Sequence, residues 1–94
     1  MPVMEGLISN GFMAEALPSP PCDTPTNWTT ISTGATTATH GVTSFYMHIH
    51  GESLVEDMHH RSRGQLAKYC NAEFLWSTDA KNGIPVLVVN YPSG

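Results

Sequence analysis

Apolar and polar positions alternate over residues 43–50, which is the pattern of a β-strand with one buried face. The apolar members are Phe45, Met47 and Ile49, and the polar members are Ser44, Tyr46, His48 and His50. Nine threonines lie between Thr24 and Thr43, and β-branched residues favour strands. We therefore predict threonine-rich strands over about residues 28–50.

The spacing of apolar residues changes to a helical period after residue 52. One face of a helix would carry Leu54, Val55, Met58, Leu66 and Tyr69, with the basic residues outside it. Ser53 and Glu56 have the spacing of a capping box, which marks a helix start. The pattern predicts one amphipathic helix over about residues 53–71.

A C-terminal hairpin completes the predicted fold. Asn82-Gly83 is a strong signal for a tight turn between strands, and apolar residues flank it on both sides. This predicts a hairpin over about residues 74–91. The fold class predicted is α+β, in which a small antiparallel sheet of the threonine-rich strands and the hairpin packs on the amphipathic helix.

The N-terminal part is predicted to lie outside that domain. Residues 4–17 resemble a short helix, although Gly6 and Gly11 weaken it. Four prolines between residues 18 and 25 predict a linker or extended arm. The division is residues 1–26 as short helix and proline-rich arm, and residues 27–94 as a single α+β domain.

Composition excludes several classes of partner. The formal net charge is −4, and four Lys and Arg residues are too few for a nucleic-acid or anionic-membrane surface. No run approaches the roughly 20 apolar residues of a membrane span, and no signal peptide is visible. We expect a soluble, by default cytoplasmic chain in which Cys22 and Cys70 are free thiols.

The distribution of charge suggests a protein partner. No Asp, Glu, Lys or Arg occurs from Thr24 through Gly51. An uncharged surface with strand edges is better covered by another protein than by water. The sequence therefore favours a small non-catalytic interaction or assembly module, of accessory or virion type, with a protein partner or as a homo-oligomer, and does not favour an enzyme.

The histidines support an alternative function. On one face of a strand, His48 and His50 would have Cα atoms about 6.5–7 Å apart, close enough to share a zinc ion. The third ligand would be His59 or Glu52; His40, Glu56, His60 and Cys70 are the other candidates. The alternative is thus a divalent-metal domain that uses His48, His50 and His59 to bind zinc, with metal-dependent hydrolysis as an extension. Otherwise His48 and His50 form the solvent-facing side of a strand, and His59 and His60 are exposed residues of the helix.

Overall fold

The computed structural model describes residues 1–48, 50–52 and 63–92, and the regular structure in these residues is helical. The α-helices of this part are α1 (Pro2–Asn10), α2 (Thr24–Thr33), α3 (Thr37–His40) and α4 (Leu75–Lys81). Two 3-10 turns, Arg63–Gln65 and Ala67–Tyr69, lie between α3 and α4. None of the helices in the described part is long and apolar enough to cross a membrane.

Helix α2 carries much of the threonine-rich block, and its two ends explain why this segment is helical. Asp23 is the N-cap residue, and its carboxylate accepts a hydrogen bond from the Thr24 N–H at 2.9 Å. Pro25 lies in the first turn, where a missing N–H costs nothing. Gly34 ends the helix in the left-handed conformation, with φ of 67°.

The predicted threonine-rich strands over residues 28–50, and with them the antiparallel sheet, are wrong for the described residues, which contain no strand. Inside α2 two of the hydroxyl groups bond to the helix itself. Thr33 donates to the Thr29 carbonyl at 2.7 Å, and Ser32 donates to the Trp28 carbonyl at 2.9 Å. A hydroxyl group that is hydrogen-bonded within its own helix reduces the preference of threonine for strands.

The predicted hairpin over residues 74–91 is also wrong, because its first half is helix α4. Asn82 and Gly83 end that helix instead of turning between strands. The Gly83 N–H donates to the Ala80 carbonyl at 3.1 Å, the Ile84 N–H donates to the Asp79 carbonyl at 3.0 Å, and Gly83 has φ of 74°. These two bonds form a Schellman motif, which uses the same left-handed glycine that a tight turn would use.

Most of the predicted helix over residues 53–71, including the capping box of Ser53 and Glu56, lies outside the described residues. Its described end, residues 63–71, is not an α-helix but the two 3-10 turns. Leu66 separates them with an extended conformation, φ −102° and ψ 116°. Gly64 is buried, and a Cβ atom there would overlap the carbonyl oxygen of Ser44, so close backbone packing sets this geometry.

Helix α2 packs against α3 and against the turn Arg63–Gln65, and this junction is the most buried part of the described structure. The buried apolar side chains there are few, and several buried side chains are polar: Thr26, Thr29, Ser32 and His40. Many apolar residues elsewhere are exposed. The radius of gyration is 16.5 Å, against roughly 12 Å for a compact domain of this length.

Candidate functional site

A pocket of about 260 Å³ lies at the N-terminal end of α2. Its lining comes from the residues just before the helix and from the first two turns: Cys22, Asp23, Thr24, Asn27, Trp28 and Ile31. The start of a helix carries the positive end of the helix dipole, which attracts anionic groups such as a phosphate. In α2 the Thr24 N–H already donates to the Asp23 carboxylate and Pro25 has no N–H, so the dipole rather than free N–H groups would attract an anion here.

Asn27 holds the chain that leads into α2. Its side-chain oxygen accepts a hydrogen bond from the Ser19 N–H at 2.8 Å. Its amide nitrogen donates to the Asp23 carbonyl at 2.9 Å, and the Asn27 main-chain N–H donates to the same carbonyl at 3.1 Å. The loop is thereby tied to the first turn of the helix, so the pocket is formed before any ligand binds.

Thr24 and Cys22 offer two side-chain nucleophiles at this pocket. Thr24 is exposed, and within the described part of the chain its hydroxyl makes no hydrogen bond. Cys22 is an exposed free thiol. Asp23 lies between them and gives the pocket its one formal charge, so an entering anion is attracted by the helix end and opposed by this carboxylate.

Trp28 forms a wall of the pocket and belongs to an aromatic cluster. The rings of Trp28 and Tyr91 meet edge to face with centroids 5.4 Å apart, and Tyr91 meets Trp76 in the same way at 5.3 Å. Trp76 stacks on Phe74 at 4.7 Å. An apolar groove of about 410 Å³ runs beside the cluster and shares Ile31 with the pocket.

His40, a candidate metal ligand from the sequence, has a structural role. Its Nδ1 accepts a hydrogen bond from the Val42 N–H at 3.0 Å, so the proton of the neutral ring lies on Nε2. Nε2 then donates to the Thr30 hydroxyl at 2.9 Å. The side chain is fully buried, and burial lowers the pKa of His40 below its ordinary value of 6.5. Both ring nitrogens of His40 therefore take part in hydrogen bonds within the protein.

The described structure does not contain the strand on which the predicted zinc site depended. Residues 43–48 form no strand, so the geometry on which the convergence of His48 and His50 depended is missing. Both side chains are exposed, and Nε2 of His48 lies 3.0 Å from the Glu52 carbonyl oxygen. His59 lies outside the described residues. The zinc site of His48, His50 and His59 therefore remains a prediction.

The other candidate ligands do not complete such a site. The Glu52 carboxylate pairs with the Arg63 guanidinium at 2.6 Å, and the Cys70 thiol donates to the Ala72 carbonyl at 3.3 Å. Glu56 and His60 lie outside the described residues. In the described ranges, no group of three His, Cys, Asp or Glu side chains could hold a metal ion.

A comparison with protein families gives the pocket at the start of α2 a chemical context. The sequence model of the type I phosphodiesterase / nucleotide pyrophosphatase family matches residues 1–94, and the chain therefore belongs to that family. No curated protein and no solved structure matches the chain. The family indicates a hydrolytic enzyme domain, so the prediction of a non-catalytic interaction or assembly module is wrong.

Reasoning from sequence missed Asp23, Thr24 and Asn27 as site residues. A signal for them was present. Asp23 is followed by Thr24-Pro25, and Gly34 comes eleven residues after Asp23. These residues are typical of the two ends of a short helix. A helix over this segment would have placed Thr24 at a positively polarised end.

Proposed function

We propose that this chain serves in the hydrolysis of phosphodiester bonds and that the pocket at the start of α2 receives the phosphoryl group. Two findings support this proposal. The chain belongs to a family named for phosphodiesterase and nucleotide pyrophosphatase activity. The site is assigned from one observation. The Thr24 hydroxyl is exposed, makes no hydrogen bond in the described structure and lies on the first residue of a ten-residue helix.

Thr24 is proposed as the nucleophile. Its oxygen attacks phosphorus, the bond from phosphorus to the leaving alcohol breaks, and the alcohol departs with the hydroxyl proton. Water then attacks the threonyl phosphodiester and releases a phosphomonoester and the free hydroxyl. The helix N-terminus stabilises charge on the phosphoryl oxygens during both steps. Cys22 is the competing nucleophile, but it precedes the helix and lies farther from the polarised first turn.

Metal ions assist many phosphoryl transfers. At the pocket, the Asp23 carboxylate and the Cys22 thiol are possible ligands, but the described residues add no third ligand to them. The residues shown there do not by themselves form a metal site, and the steps above depend only on Thr24, the helix end and water.

The proposal is tested by hydrolysis of bis(p-nitrophenyl) phosphate, followed by release of p-nitrophenolate. The wild-type chain should turn over this diester, and Thr24→Ala should lower kcat/KM by about 10²-fold or more. Thr24→Ser, which keeps a hydroxyl, should retain part of the activity. Cys22→Ser should stay near wild type.

A matched control is Thr43→Ala, since Thr43 is an exposed threonine with no hydrogen bond in the described structure. This variant should keep full activity. A wild-type chain without turnover above the buffer rate would contradict the function, whereas normal turnover by Thr24→Ala would contradict only the assignment of the nucleophile.

Zinc binding by His48, His50 and His59 is retained as a separate proposal about a cofactor. It is tested by the metal content of protein purified without a histidine tag, beside the His48→Ala/His50→Ala variant. Near-stoichiometric zinc in wild type and its loss in the variant would support the site. Equal metal content in the two proteins would contradict this zinc site.

A further inference from the structure

The loop that leads into α2 is tied to α3 by a hydrogen bond. The Thr37 hydroxyl donates to the Pro20 carbonyl at 2.8 Å, across 17 residues of sequence. Thr37 is the first residue of α3, and Pro20 lies shortly before the cap residue Asp23. Within the described structure, no other residue beyond α2 forms a hydrogen bond with residues 18–23. Thr37 is therefore the link between this loop and the part of the chain that follows α2.

Helix α3 is a fixed support for the loop, because it is itself held against α2. The two helices pack directly on each other. At the other end of α3, His40 is fully buried, and its ring is hydrogen-bonded to the Thr30 hydroxyl of α2 at 2.9 Å. The Thr37 hydroxyl therefore holds the Pro20 carbonyl at a defined place relative to α2.

The hold on Pro20 reaches Thr24 through two further hydrogen bonds. The Asp23 N–H donates to the Pro21 carbonyl at 2.7 Å, and the Asp23 carboxylate accepts the Thr24 N–H at 2.9 Å. Each residue between the loop and the first residue of α2 is thus fixed by its neighbour. A loosened loop would displace Asp23 from the cap, and with it both the charge beside the pocket and the main chain of Thr24.

We propose that Thr37 is a positioning residue for the nucleophile Thr24. This inference rests on the proposed function. Thr37 is not among the residues that line the pocket, and it acts through the Pro20 carbonyl and the loop. A nucleophile displaced from its line of attack slows the chemical step more than it weakens the binding of substrate. Thr37 therefore contributes to kcat rather than to KM.

The test compares Thr37→Val, which keeps the shape of the side chain and removes its hydroxyl, with Thr37→Ser, which keeps the hydroxyl. In hydrolysis of bis(p-nitrophenyl) phosphate, Thr37→Val should lower kcat by about 3–10-fold and leave KM within about twofold of wild type. Thr37→Ser should restore most of kcat. The matched control is Thr39→Val, which removes from the same helix an exposed hydroxyl whose partner is the Thr36 hydroxyl. It should keep the wild-type kcat.

Amide hydrogen exchange tests the same contact without turnover. The N–H groups of Ser19 and Asp23 are bonded on either side of Pro20, and their exchange should be faster in Thr37→Val than in wild type. Exchange at Gly34, at the far end of α2, should be unchanged.

Equal exchange at Ser19 and Asp23 in wild type and Thr37→Val would overturn the proposal. Faster exchange with an unchanged kcat, or an equal loss of kcat in Thr39→Val, would refute the positioning role and leave the proposed function intact. A wild-type chain without turnover would refute the proposed function and the positioning role together.

Discussion

The His40 ring and the Thr30 hydroxyl meet at 2.9 Å, a bond that joins the end of α3 to the middle of α2. The same ring accepts the Val42 N–H, and the His40 carbonyl accepts the Asn71 N–H at 2.9 Å. His40 therefore joins three parts of the chain within the most buried region. Its neutrality is a condition for this arrangement, because a protonated Nδ1 could not accept the Val42 N–H.

Stability should fall as the pH is lowered below 6.5. Burial lowers the pKa of His40 in the folded state, whereas in the unfolded chain it stays near 6.5. Below pH 6.5 the unfolded chain therefore binds a proton that the folded chain does not, which favours unfolding. The contribution of His40 is complete above pH 6.5 and is lost as the pH falls toward the lower folded-state pKa.

Urea unfolding at a series of pH values between 5 and 7.5 measures this effect. His40→Gln, which keeps a neutral donor for Thr30, should show a smaller decrease in the free energy of unfolding between pH 6.5 and 5. The control His48→Gln changes an exposed histidine and should retain the wild-type slope. An equal slope in His40→Gln and wild type would assign the pH dependence to other groups.

Gly64 and Gly6 should respond to alanine in opposite directions. A Cβ atom on Gly64 would overlap the Ser44 carbonyl oxygen and lie 3.1 Å from Cβ of Pro25, and neither neighbour is a flexible side-chain end. Gly64→Ala should cost about 1–3 kcal/mol or more of unfolding free energy. Gly6 lies within α1 with nothing within 4 Å of an added Cβ, so Gly6→Ala should favour the helix by up to about 1 kcal/mol.

Urea unfolding compares the two variants, and far-UV circular dichroism reports the helix content of α1. A Gly64→Ala protein as stable as wild type would mean that the turn Arg63–Gln65 does not pack against residue 44 in solution.

The outcome for α2 shows which sequence signals were informative. Threonine content indicated strands, but that preference is weak and depends on packing partners. The terminal residues Asp23, Pro25 and Gly34 act through local geometry, so they were the more reliable signals. The candidate site could be predicted only if this segment was recognised as a helix, because only then does Thr24 lie at a helix N-terminus.

The C-terminal segment shows what one sequence leaves undetermined. Asn82-Gly83 suits either a hairpin turn or a helix end, because both require a left-handed glycine. The apolar run after it was expected to be a strand, but no main-chain hydrogen bond joins residues 86–89 to another described residue. A strand needs a partner, and the identity of the partner is not contained in a local pattern.

The ion pair of Glu52 and Arg63 should contribute more than that of Glu73 and Lys81. Both pairs have N–O distances of 2.6 Å, but Arg63 and Glu52 are largely shielded while Lys81 and Glu73 are exposed. Glu52→Gln should lower the free energy of unfolding by about 1.5–3 kcal/mol, as for a hydrogen bond to a charged group. Glu73→Gln should cost less than about 1 kcal/mol.

Salt separates the two pairs further, because screening acts mainly on exposed charges. In 0.5 M NaCl the effect of Glu73→Gln should vanish, and most of the effect of Glu52→Gln should persist. Equal losses in the two variants at low salt would show that burial does not distinguish these pairs.

Tyr91 should hold the C-terminal segment mainly through its ring. Tyr91→Phe removes the hydroxyl that donates to the Trp28 carbonyl, but Ser32 also donates to that carbonyl, so the oxygen keeps a partner. The loss should be about 0.5–1.5 kcal/mol. Tyr91→Ala also removes the edge contacts with Trp28 and Trp76 and should cost about 2–4 kcal/mol, since the ring is only partly buried.

Tryptophan fluorescence distinguishes these two contributions, because Trp28 and Trp76 both contact the Tyr91 ring. The emission of Tyr91→Phe should stay near that of wild type, whereas Tyr91→Ala should shift to the red as water reaches the indoles. If Tyr91→Ala matched Tyr91→Phe in both emission and unfolding, the hydroxyl rather than the ring would anchor the segment.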